Sequence, residues 1–193
     1  MEQKDALSLF RQAGAYLEGH FRLSSGLHSA GYMQSALVLQ NPADAESLGA
    51  ALASRVRELR PDVVLSPALG GVIIGHEVAR ALGVRALFAE RSAPPTPTLG
   101  LRRGFALKSG ERVLVVEDVF TTGGSTRETM EVARAAGAQV VGAAAIVDRS
   151  GGAVTFDVPR ETLITIALPT YDSALCPLCA QGVPLVKPGS KPS

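Results

Sequence analysis

VLVVEDVFTTGGSTRE, at residues 113–128, joins four aliphatic residues to two carboxylates and then to a loop of threonine, glycine and serine. The aliphatic run predicts a buried strand, and the pattern from residue 126 to residue 136 predicts a helix. We expect the strand to stop at Glu117 and Asp118. Because ligands of open α/β sheets bind beyond the carboxyl ends of the strands, these two carboxylates should lie at the ligand-binding edge.

The loop TTGGST at residues 121–126, called here the phosphate loop, has the composition of a phosphate-binding turn. Gly123 and Gly124 permit a positive φ and a close approach of the backbone to a ligand, and free amides and hydroxyls at the start of a helix are donors. The loop lacks the lysine of a Walker P-loop and does not match the GxGxxG turn of dinucleotide-binding folds. It therefore predicts a phosphate site of another kind.

The two carboxylates need a partner of their own, because a bound phosphate would repel them. Vicinal hydroxyl groups of a sugar would satisfy them, and so would Mg²⁺. A sugar phosphate meets both requirements. The alternative is structural: Glu117 and Asp118 cap a helix or pair with arginines, and the loop is an ordinary connection. The acidic pair directly ahead of the glycine-rich loop favours the functional interpretation.

Elsewhere in the chain, short apolar runs alternate with helical patterns. Strands are predicted at residues 62–66, 84–89, 112–116, 139–147 and 162–168, and helices at 5–17, 72–82, 126–136 and from Asn41-Pro42 to just before Pro61. Runs that are apolar on both faces and separated by helices are typical of a parallel sheet covered on both sides. The sequence therefore predicts an α/β fold with an open, doubly wound parallel sheet.

Length and composition indicate one domain, because the chain has 193 residues, of which 46% are hydrophobic and 19% charged. We expect this domain at residues 1–186 and a disordered tail at residues 187–193. Residues 19–39, together with the C-terminal part, are expected to form a flap, called here the hood. Residues 92–110 are rich in proline and too long for a tight connection, so they predict a mobile segment, called here the lid.

The charge distribution argues against two classes of partner. The formal net charge is +1 and the arginines are scattered, whereas a nucleic-acid-binding protein usually carries a basic stripe. No apolar run approaches the roughly 20 residues of a membrane span, and the first residues do not resemble a secretion signal. We expect a cytoplasmic protein that binds neither nucleic acid nor membranes.

Cys176 and Cys179, in the motif CPLC, are half of a zinc site, and no histidine lies nearby in the sequence to complete it. A dimer could combine two such pairs, or the pair could be redox-active. The incomplete ligand set favours a purely structural role.

Several segments together resemble the type I phosphoribosyltransferases and, among them, the orotate phosphoribosyltransferases. The segment at residues 113–126 is similar to the signature for phosphoribosyl diphosphate (PRPP). Five further motifs follow the order of that family: FRLSSGLHSAGY (21–32), PALGGVIIG (67–75), AER (89–91), LRRGF (101–105) and VDR (147–149). The resemblance implies magnesium-dependent transfer of ribose 5-phosphate from PRPP to N1 of orotate, in pyrimidine biosynthesis. It also implies a homodimer in which the lid reaches the neighbouring subunit's site.

The resemblance also implies a set of site residues. The expected PRPP-binding residues are Arg91, Ala68, Leu69, Gly70, Gly71, Glu117, Asp118, Val119, Phe120, Thr121, Thr122, Gly123, Gly124 and Ser125, and the expected orotate-binding residues are Thr121, Arg149, Ser25 and Gly26. Glu117, Asp118, Arg102 and Arg103 are the expected catalytic residues, acting by positioning and electrostatic stabilisation. Mg²⁺ would be held mainly by PRPP, near Glu117 and Asp118.

Some features leave alternatives open. His28 could lie near the base or be structural. Many orotate enzymes carry lysine where this chain has Ser24 and several lysines in the lid, whereas here no lysine lies between Lys4 and Lys108. A purine phosphoribosyltransferase would share the PRPP loop, and a PRPP-sensing regulator that binds nucleic acid would need a basic face.

Overall fold

The structure is a computed structural model that describes residues 1–23 and 26–188. Ser24, the expected orotate contact Ser25 and residues 189–193 of the predicted tail lie outside the described residues. The helices are α1 Gln3–Gln12, α2 Ser35–Leu39, α3 Pro42–Val56, α4 Gly70–Leu82, α5 Gly124–Ala135 and α6 Pro177–Ala180, with single 3-10 turns at Arg57–Leu59 and Ser173–Leu175. The strands are β1 Tyr16–Arg22, β2 His28–Met33, β3 Val63–Pro67, β4 Arg85–Arg91, β5 Leu99–Leu101, β6 Arg112–Phe120, β7 Gln139–Asp148, β8 Arg160–Thr165, β9 Thr170–Tyr171 and β10 Leu185–Val186.

The central sheet confirms the predicted fold class. Its six strands are ordered β5-β4-β3-β6-β7-β8, and every neighbouring pair is parallel except β4 and β5. β3 is buried along its whole length, and β7 is buried except at its first residue, Gln139. Such nearly complete burial is expected when helices cover both faces of a parallel sheet.

Helices cover the two faces unequally. α1, α3 and α4 contribute the buried apolar residues of one face, while α5 and apolar residues of the lid cover the other. α3 begins as predicted, with the Asn41 side chain accepting a hydrogen bond from Ala43 N at 3.2 Å and Pro42 at the first helical position. α3 and α4 pack closely at Gly49, where an added Cβ would lie 2.4 Å from Cβ of Glu77.

The first predicted helix was too long. α1 ends at Gln12, and Gly14, with φ of 62°, turns the chain so that the amide of Ala15 bonds to the carbonyl of Phe10 at 2.7 Å. Leu17 follows the helical spacing of the apolar residues before it but lies in β1. Pairing of β1 with β2 outweighs the local pattern.

The prediction that β6 stops at Glu117 was also wrong. The pairing of β6 with β3 ends at Val115, but its pairing with β7 continues to Phe120 opposite Asp148. β6 therefore projects beyond its neighbour β3, and the two carboxylates lie on this projecting part of the strand.

The hood is a second sheet of four strands, ordered β10-β1-β2-β9. β1 and β2 form an antiparallel pair, β9 pairs antiparallel with β2, and β10 pairs parallel with β1. β9 and β10 contain two residues each. The hood thus joins residues 16–33 to a segment more than a hundred positions later in the chain.

The lid folds back on the edge of the central sheet. Its strand β5 pairs antiparallel with β4, and a tight turn follows, in which Arg103 and Gly104 have φ of 57° and 77° and Phe105 N bonds to Arg102 O at 2.9 Å. The ring of Phe105 packs edge-on against Phe88, with 5.1 Å between the ring centroids. No helix within residues 1–23 and 26–188 has the length and apolar character needed to cross a membrane.

Candidate active site

The candidate site lies where the chain changes direction across the sheet. After β3 the chain crosses to β4 on one side, and β6 takes the other side of β3, so the carboxyl ends of β3 and β6 flank a topological switch point. Ligands of open α/β sheets bind at such points. The connection from β3 to α4 and the connection from β6 to α5 both open onto this crevice.

The acidic pair touches the start of α4. An added Cβ at Gly70 would lie 2.7 Å from Oδ1 of Asp118, and one at Gly71 would lie 2.9 Å from the carbonyl oxygen of Val116. Only glycine permits this close approach between the helix and β6. Leu69 is 86% exposed, and the peptide bond between Ala68 and Leu69 is cis. Of residues 68–71, expected at the pyrophosphate, Gly70 lies next to Asp118, and none of the four lines the cavity described below.

Glu117 is held by the first turn of α5. Its Oε1 accepts a hydrogen bond from Ser125 Oγ at 2.6 Å, and its Oε2 accepts one from Thr126 Oγ1. Burial raises the pKa of Glu117, although the two hydroxyl bonds oppose the shift. Burial also raises the pKa of Asp118. The fold thus forces two adjacent carboxyl groups into a poorly hydrated place.

The structural alternatives for this pair find little support. Within the described part of the chain, neither Glu117 nor Asp118 forms an ion pair with an arginine. Glu117 does bond to side chains at the start of α5, as a helix-capping residue would. Both carboxylates nevertheless line a large cavity, which a purely structural pair would not need to do.

The phosphate loop has the conformation expected of an anion site. Gly123 precedes α5 with φ of 77°, and Gly124 begins the helix. The hydroxyl-bearing residues Thr121, Thr122 and Ser125 line the cavity. Free amides and the positive end of the helix dipole favour an anion at this place.

Neighbouring residues hold the phosphate loop in place. Arg127 donates to the carbonyl oxygens of Thr122 and Thr155, both at 2.8 Å. Phe120 is buried and packs against Phe156, while Val119 lines the cavity. Phe120 therefore supports the loop from behind, although the sequence placed it among the PRPP-binding residues.

The cavity has a volume of about 1300 Å³ and lies between the central sheet and the hood. Small-molecule pockets usually measure about 300–1,000 Å³, so this one has room for two substrates. Its wall combines the acidic pair and the phosphate loop with Gly26 and neighbouring hood residues, with the end of β7, and with residues 167–170 and 187–188.

Arg149 is one of the cationic residues that line this cavity. It follows β7 and is half-buried, and its Nε atom is buried without a hydrogen-bond partner in the described structure. Burial lowers the pKa of Arg149, but a guanidinium keeps its proton at neutral pH. The neighbouring Asp148 pairs instead with Arg160 at 2.7 Å. The side chain of Arg149 is therefore available to an anion in the cavity.

Three further cavity residues were not assigned from the sequence. Tyr32 lies near Arg149 and Asp118, and burial raises its pKa, so its phenol group remains a hydrogen-bond donor at neutral pH. Arg22 and Lys187 also line the wall. Tyr32 is the last residue of the motif FRLSSGLHSAGY, so the sequence does contain a signal that could have identified it. Lys187 was expected in a tail, and nothing in its local sequence indicates a cavity.

The other three arginines expected in the site, Arg91, Arg102 and Arg103, do not line the cavity of the described structure. Arg91 pairs with Glu128 on α5, and Arg103 pairs with Glu90 at 2.8 Å and lies over the ring of Phe88. Arg102 is exposed at the tight turn of the lid. The lid as folded here holds Arg102 and Arg103 away from the acidic pair.

The two cysteines meet two histidines that are remote in the sequence. Cys179 Sγ lies 3.6 Å from Nε2 of His20 and 3.3 Å from Nδ1 of His28. The expectation that no histidine completes the set was wrong, because the pairing of the hood strands brings residues 20 and 28 to the C-terminal segment. His28 is buried in this cluster.

Comparisons with known proteins agree with this geometry. Residues 35–160 match the phosphoribosyl transferase domain. The orotate phosphoribosyltransferase of Pelotomaculum thermopropionicum is 52% identical over 191 residues, which cover 99% of both chains, and that of Caldanaerobacter subterraneus subsp. tengcongensis is 49% identical with the same coverage.

Solved structures show the same fold. The crystal structure of orotate phosphoribosyltransferase from Aeropyrum pernix has a TM-score of 0.66 at 26% identity and covers 81% of this chain and 91% of its own. Adenine phosphoribosyltransferase from Thermoanaerobacter pseudethanolicus shares the fold alone, with a TM-score of 0.61 at 17% identity over 69% of this chain and 87% of its own. The full-length relatives and the matched domain together show that the chain belongs to the orotate phosphoribosyltransferase family.

Proposed function

We propose that the protein transfers ribose 5-phosphate from PRPP to N1 of orotate, releasing pyrophosphate and forming orotidine 5'-monophosphate for pyrimidine biosynthesis in the cytoplasm. One observation carries the choice of base: Arg149, a half-buried cation whose Nε has no partner in the described structure, shares a cavity with the phosphate loop. Orotate has the carboxylate that such a cation requires, whereas adenine, guanine and uracil do not.

The sugar phosphate of PRPP would occupy the switch point. The amides and hydroxyls of residues 121–125 would bind its 5-phosphate, and Glu117 and Asp118 would bind the ribose hydroxyls. Amides of residues 68–71, of which Gly70 lies against Asp118, would bind the pyrophosphate.

Catalysis would rest on electrostatics and positioning, because the transition state resembles an oxocarbenium ion. The two carboxylates are placed to stabilise positive charge that develops on the ribose ring. Mg²⁺ fits this edge, since Asp118 presents carboxylate oxygen beside the glycine turn that faces the pyrophosphate. Held mainly by PRPP near Glu117 and Asp118, it would neutralise charge on the departing pyrophosphate.

The base would lie between the central sheet and the hood. Arg149 would bind the orotate carboxylate, with Thr121 and Gly26 completing the pocket. Tyr32 would donate a hydrogen bond from its protonated phenol. Lys187 brings an ammonium group to a cavity that receives no lysine from residues 5–107. We propose that Lys187 provides part of the positive charge that lid lysines provide in related enzymes.

Lid closure would bring arginines to the pyrophosphate and exclude water from the ribosyl cation. The pair between Arg103 and Glu90 joins an exposed guanidinium to a partly exposed carboxylate, so solvent screens the pair and its separation is a weak barrier to closure. Arg91, Arg102 and Arg103 present guanidinium groups suited to bidentate phosphate contacts. In a homodimer the lid would close over the partner's cavity.

The direct test is magnesium-dependent turnover of PRPP with orotate, adenine, hypoxanthine, guanine or uracil. We expect turnover with orotate alone. Arg149→Ala should lower kcat/KM for orotate by about 100-fold or more, because it removes the charged partner of a buried carboxylate. It should leave PRPP affinity, measured by calorimetry, within about threefold of the parent, a difference below 1 kcal/mol.

Arg134→Ala is the matched control, because this arginine pairs with Glu131 and Asp157 outside the cavity. Turnover of a purine base instead of orotate would contradict the assignment of the base. PRPP binding without turnover of any base, together with salt-sensitive binding of nucleic acid, would indicate a regulator.

A further inference from the structure

Four side chains outside the cavity converge on one point in the hood. Nitrogen atoms of His20 and His28 and the sulfur atoms of Cys176 and Cys179 all lie within 4.8 Å of one another. Three of the four residues are buried, and Cys179 is exposed. The reaction proposed above uses none of these side chains.

The spacing within the cluster suits a tetrahedral metal. Zinc lies about 2.0–2.1 Å from histidine nitrogen and about 2.3 Å from cysteine sulfur, so ligands around it stand about 3.3–3.8 Å apart. Three of the four sulfur-to-nitrogen distances are 3.3, 3.5 and 3.6 Å. His20 Nε2 and His28 Nδ1 are 2.9 Å apart and all four ligand atoms lie within 4.8 Å of one another, so small movements of these side chains would bring them to tetrahedral spacing.

A hydrogen bond orients His20 for coordination. Its Nδ1 lies 2.8 Å from the carbonyl oxygen of Val183, which can only accept, so Nδ1 carries the proton. The lone pair of Nε2 is then directed at both sulfurs and at His28. Histidines that bind metals usually make such a bond with the ring nitrogen that faces away from the metal.

We propose that His20, His28, Cys176 and Cys179 bind one Zn²⁺ ion as a closed structural site. Two imidazoles and two thiolates are a typical donor set for structural zinc, and neither Mg²⁺ nor Ca²⁺ favours these ligands. The C-x₂-C spacing and the enclosing turn, in which the amide of Ala180 bonds to the carbonyl of Cys176 at 3.2 Å, present both sulfurs on one side.

The site would fasten the C-terminal segment to the hood. His20 pairs with Leu185 in one ladder and His28 with Tyr171 in another, and each of these ladders joins only two residues of the C-terminal segment to the hood. The metal would lie between them and link both ends of residues 171–185. Lys187, two positions after Leu185, reaches the cavity, so the ion would also fix part of its wall.

The test is the metal content of the full chain, purified without a histidine tag or added chelator. Elemental analysis should give about one zinc per chain, the stoichiometry of a closed four-ligand site. A mercurial that modifies both thiols should release that zinc. Substitution with Co²⁺ should produce the visible absorption of a tetrahedral site with thiolate ligands.

Cys179→Ser and His28→Gln should each lower zinc content at least tenfold. His76→Gln is the matched control, because the third histidine of the chain lies on α4 with a 67% exposed side chain and outside the cluster. It should retain full zinc. Chelation of the parent protein should lower its Tm by several degrees, whereas the Tm of Cys179→Ser should not respond.

Parent protein that contains no zinc, and that takes up neither Zn²⁺ nor Co²⁺ after reduction of its thiols, would overturn the proposal. The same holds if Cys176 and Cys179 form a disulfide as the stable state in reducing buffer. The metal-content, mercurial and cobalt experiments use unaltered protein. They can therefore refute the proposal even if a variant fails to fold.

Discussion

At the scale of a single residue, Asp118 is placed for ligand binding at a cost to the stability of the folded protein. Its carboxyl group lies on the projecting end of β6, against the first glycine of α4, and burial raises its pKa. A group that binds protons more readily when folded makes the protein less stable as pH rises through its folded pKa. At neutral pH, well above the usual pKa of an aspartate, the raised pKa of Asp118 therefore destabilises the protein without ligand.

Asp118→Asn should accordingly stabilise the unliganded protein at neutral pH. Removing one buried charge should raise the free energy of unfolding by about 1 kcal/mol, which corresponds to a Tm about 2–4 °C higher for a chain of this size. The gain should shrink as pH falls, because the parent carboxyl group then becomes protonated. Calorimetric unfolding at several pH values measures it.

The same variant should lose about 100-fold or more in kcat/KM, because it lacks a charge that stabilises the ribosyl cation. Asp157→Asn is the control, because the pKa of Asp157 is shifted in the opposite direction. The hydrogen bond from Arg134 lowers that pKa, so replacing Asp157 should give no gain in stability. A lower Tm for Asp118→Asn at neutral pH would show that the carboxylate is a net structural contact.

Sequence could predict those site residues that are consecutive in the chain. Glu117 and Asp118 lie at the end of β6 and the phosphate loop follows directly, so one continuous stretch of sequence predicts them together. Tyr32 is marked only by a motif of its own segment, and Lys187 reaches the same cavity from a distant segment in which no local pattern marks it. His20 and Cys176 are likewise 156 positions apart and meet only through strand pairing.

At the scale of elements, predictions failed where tertiary pairing outweighed local pattern. The helical spacing of Leu7, Phe10 and Leu17 is real, but only the first two lie in α1. The two-residue strands β9 and β10 are too short for any periodicity to show. The long apolar strands β3 and β7 and the capped helix α3 were predictable because burial, propensity and caps agree.

The contact between α3 and α4 gives a second prediction. Gly49→Ala should destabilise the protein by about 1–3 kcal/mol, because its Cβ would lie 2.4 Å from Cβ of Glu77 and 2.9 Å from the backbone of that residue. Thermal unfolding should show a Tm lower by several degrees. Gly100→Ala is the control, since an added Cβ there meets nothing within 4 Å. Equal Tm values for the two variants would mean that the helices can shift apart.

At the scale of the whole molecule, we expect each active site to be shared between two subunits, with the lid of one closing over the cavity of the other. If the lid closes over the neighbouring subunit of a dimer, Arg149→Ala and the double variant Arg102→Ala with Arg103→Ala should each be inactive alone. After dissociation and random re-association, half of the dimers are mixed, and each has one intact site of two. The mixture should recover about one quarter of wild-type activity.

A lid that closes over its own cavity gives the contrary outcome, because both sites of a mixed dimer would then be defective. Re-associating each variant with itself controls for damage during dissociation. Sedimentation of the parent chain measures the assembly state independently of activity.

The hood also fixes an order of events during synthesis. His20 and Val183 bond to each other although 163 positions separate them, whereas the central sheet is complete by Thr165. Domains fold as their residues leave the ribosome, so β1 and β2 can pair early, but their pairing with β10 and β9 must wait until residues 170–186 have been made. The base pocket is then the last part to mature, and a partly made chain would expose the phosphate loop before it could hold a base.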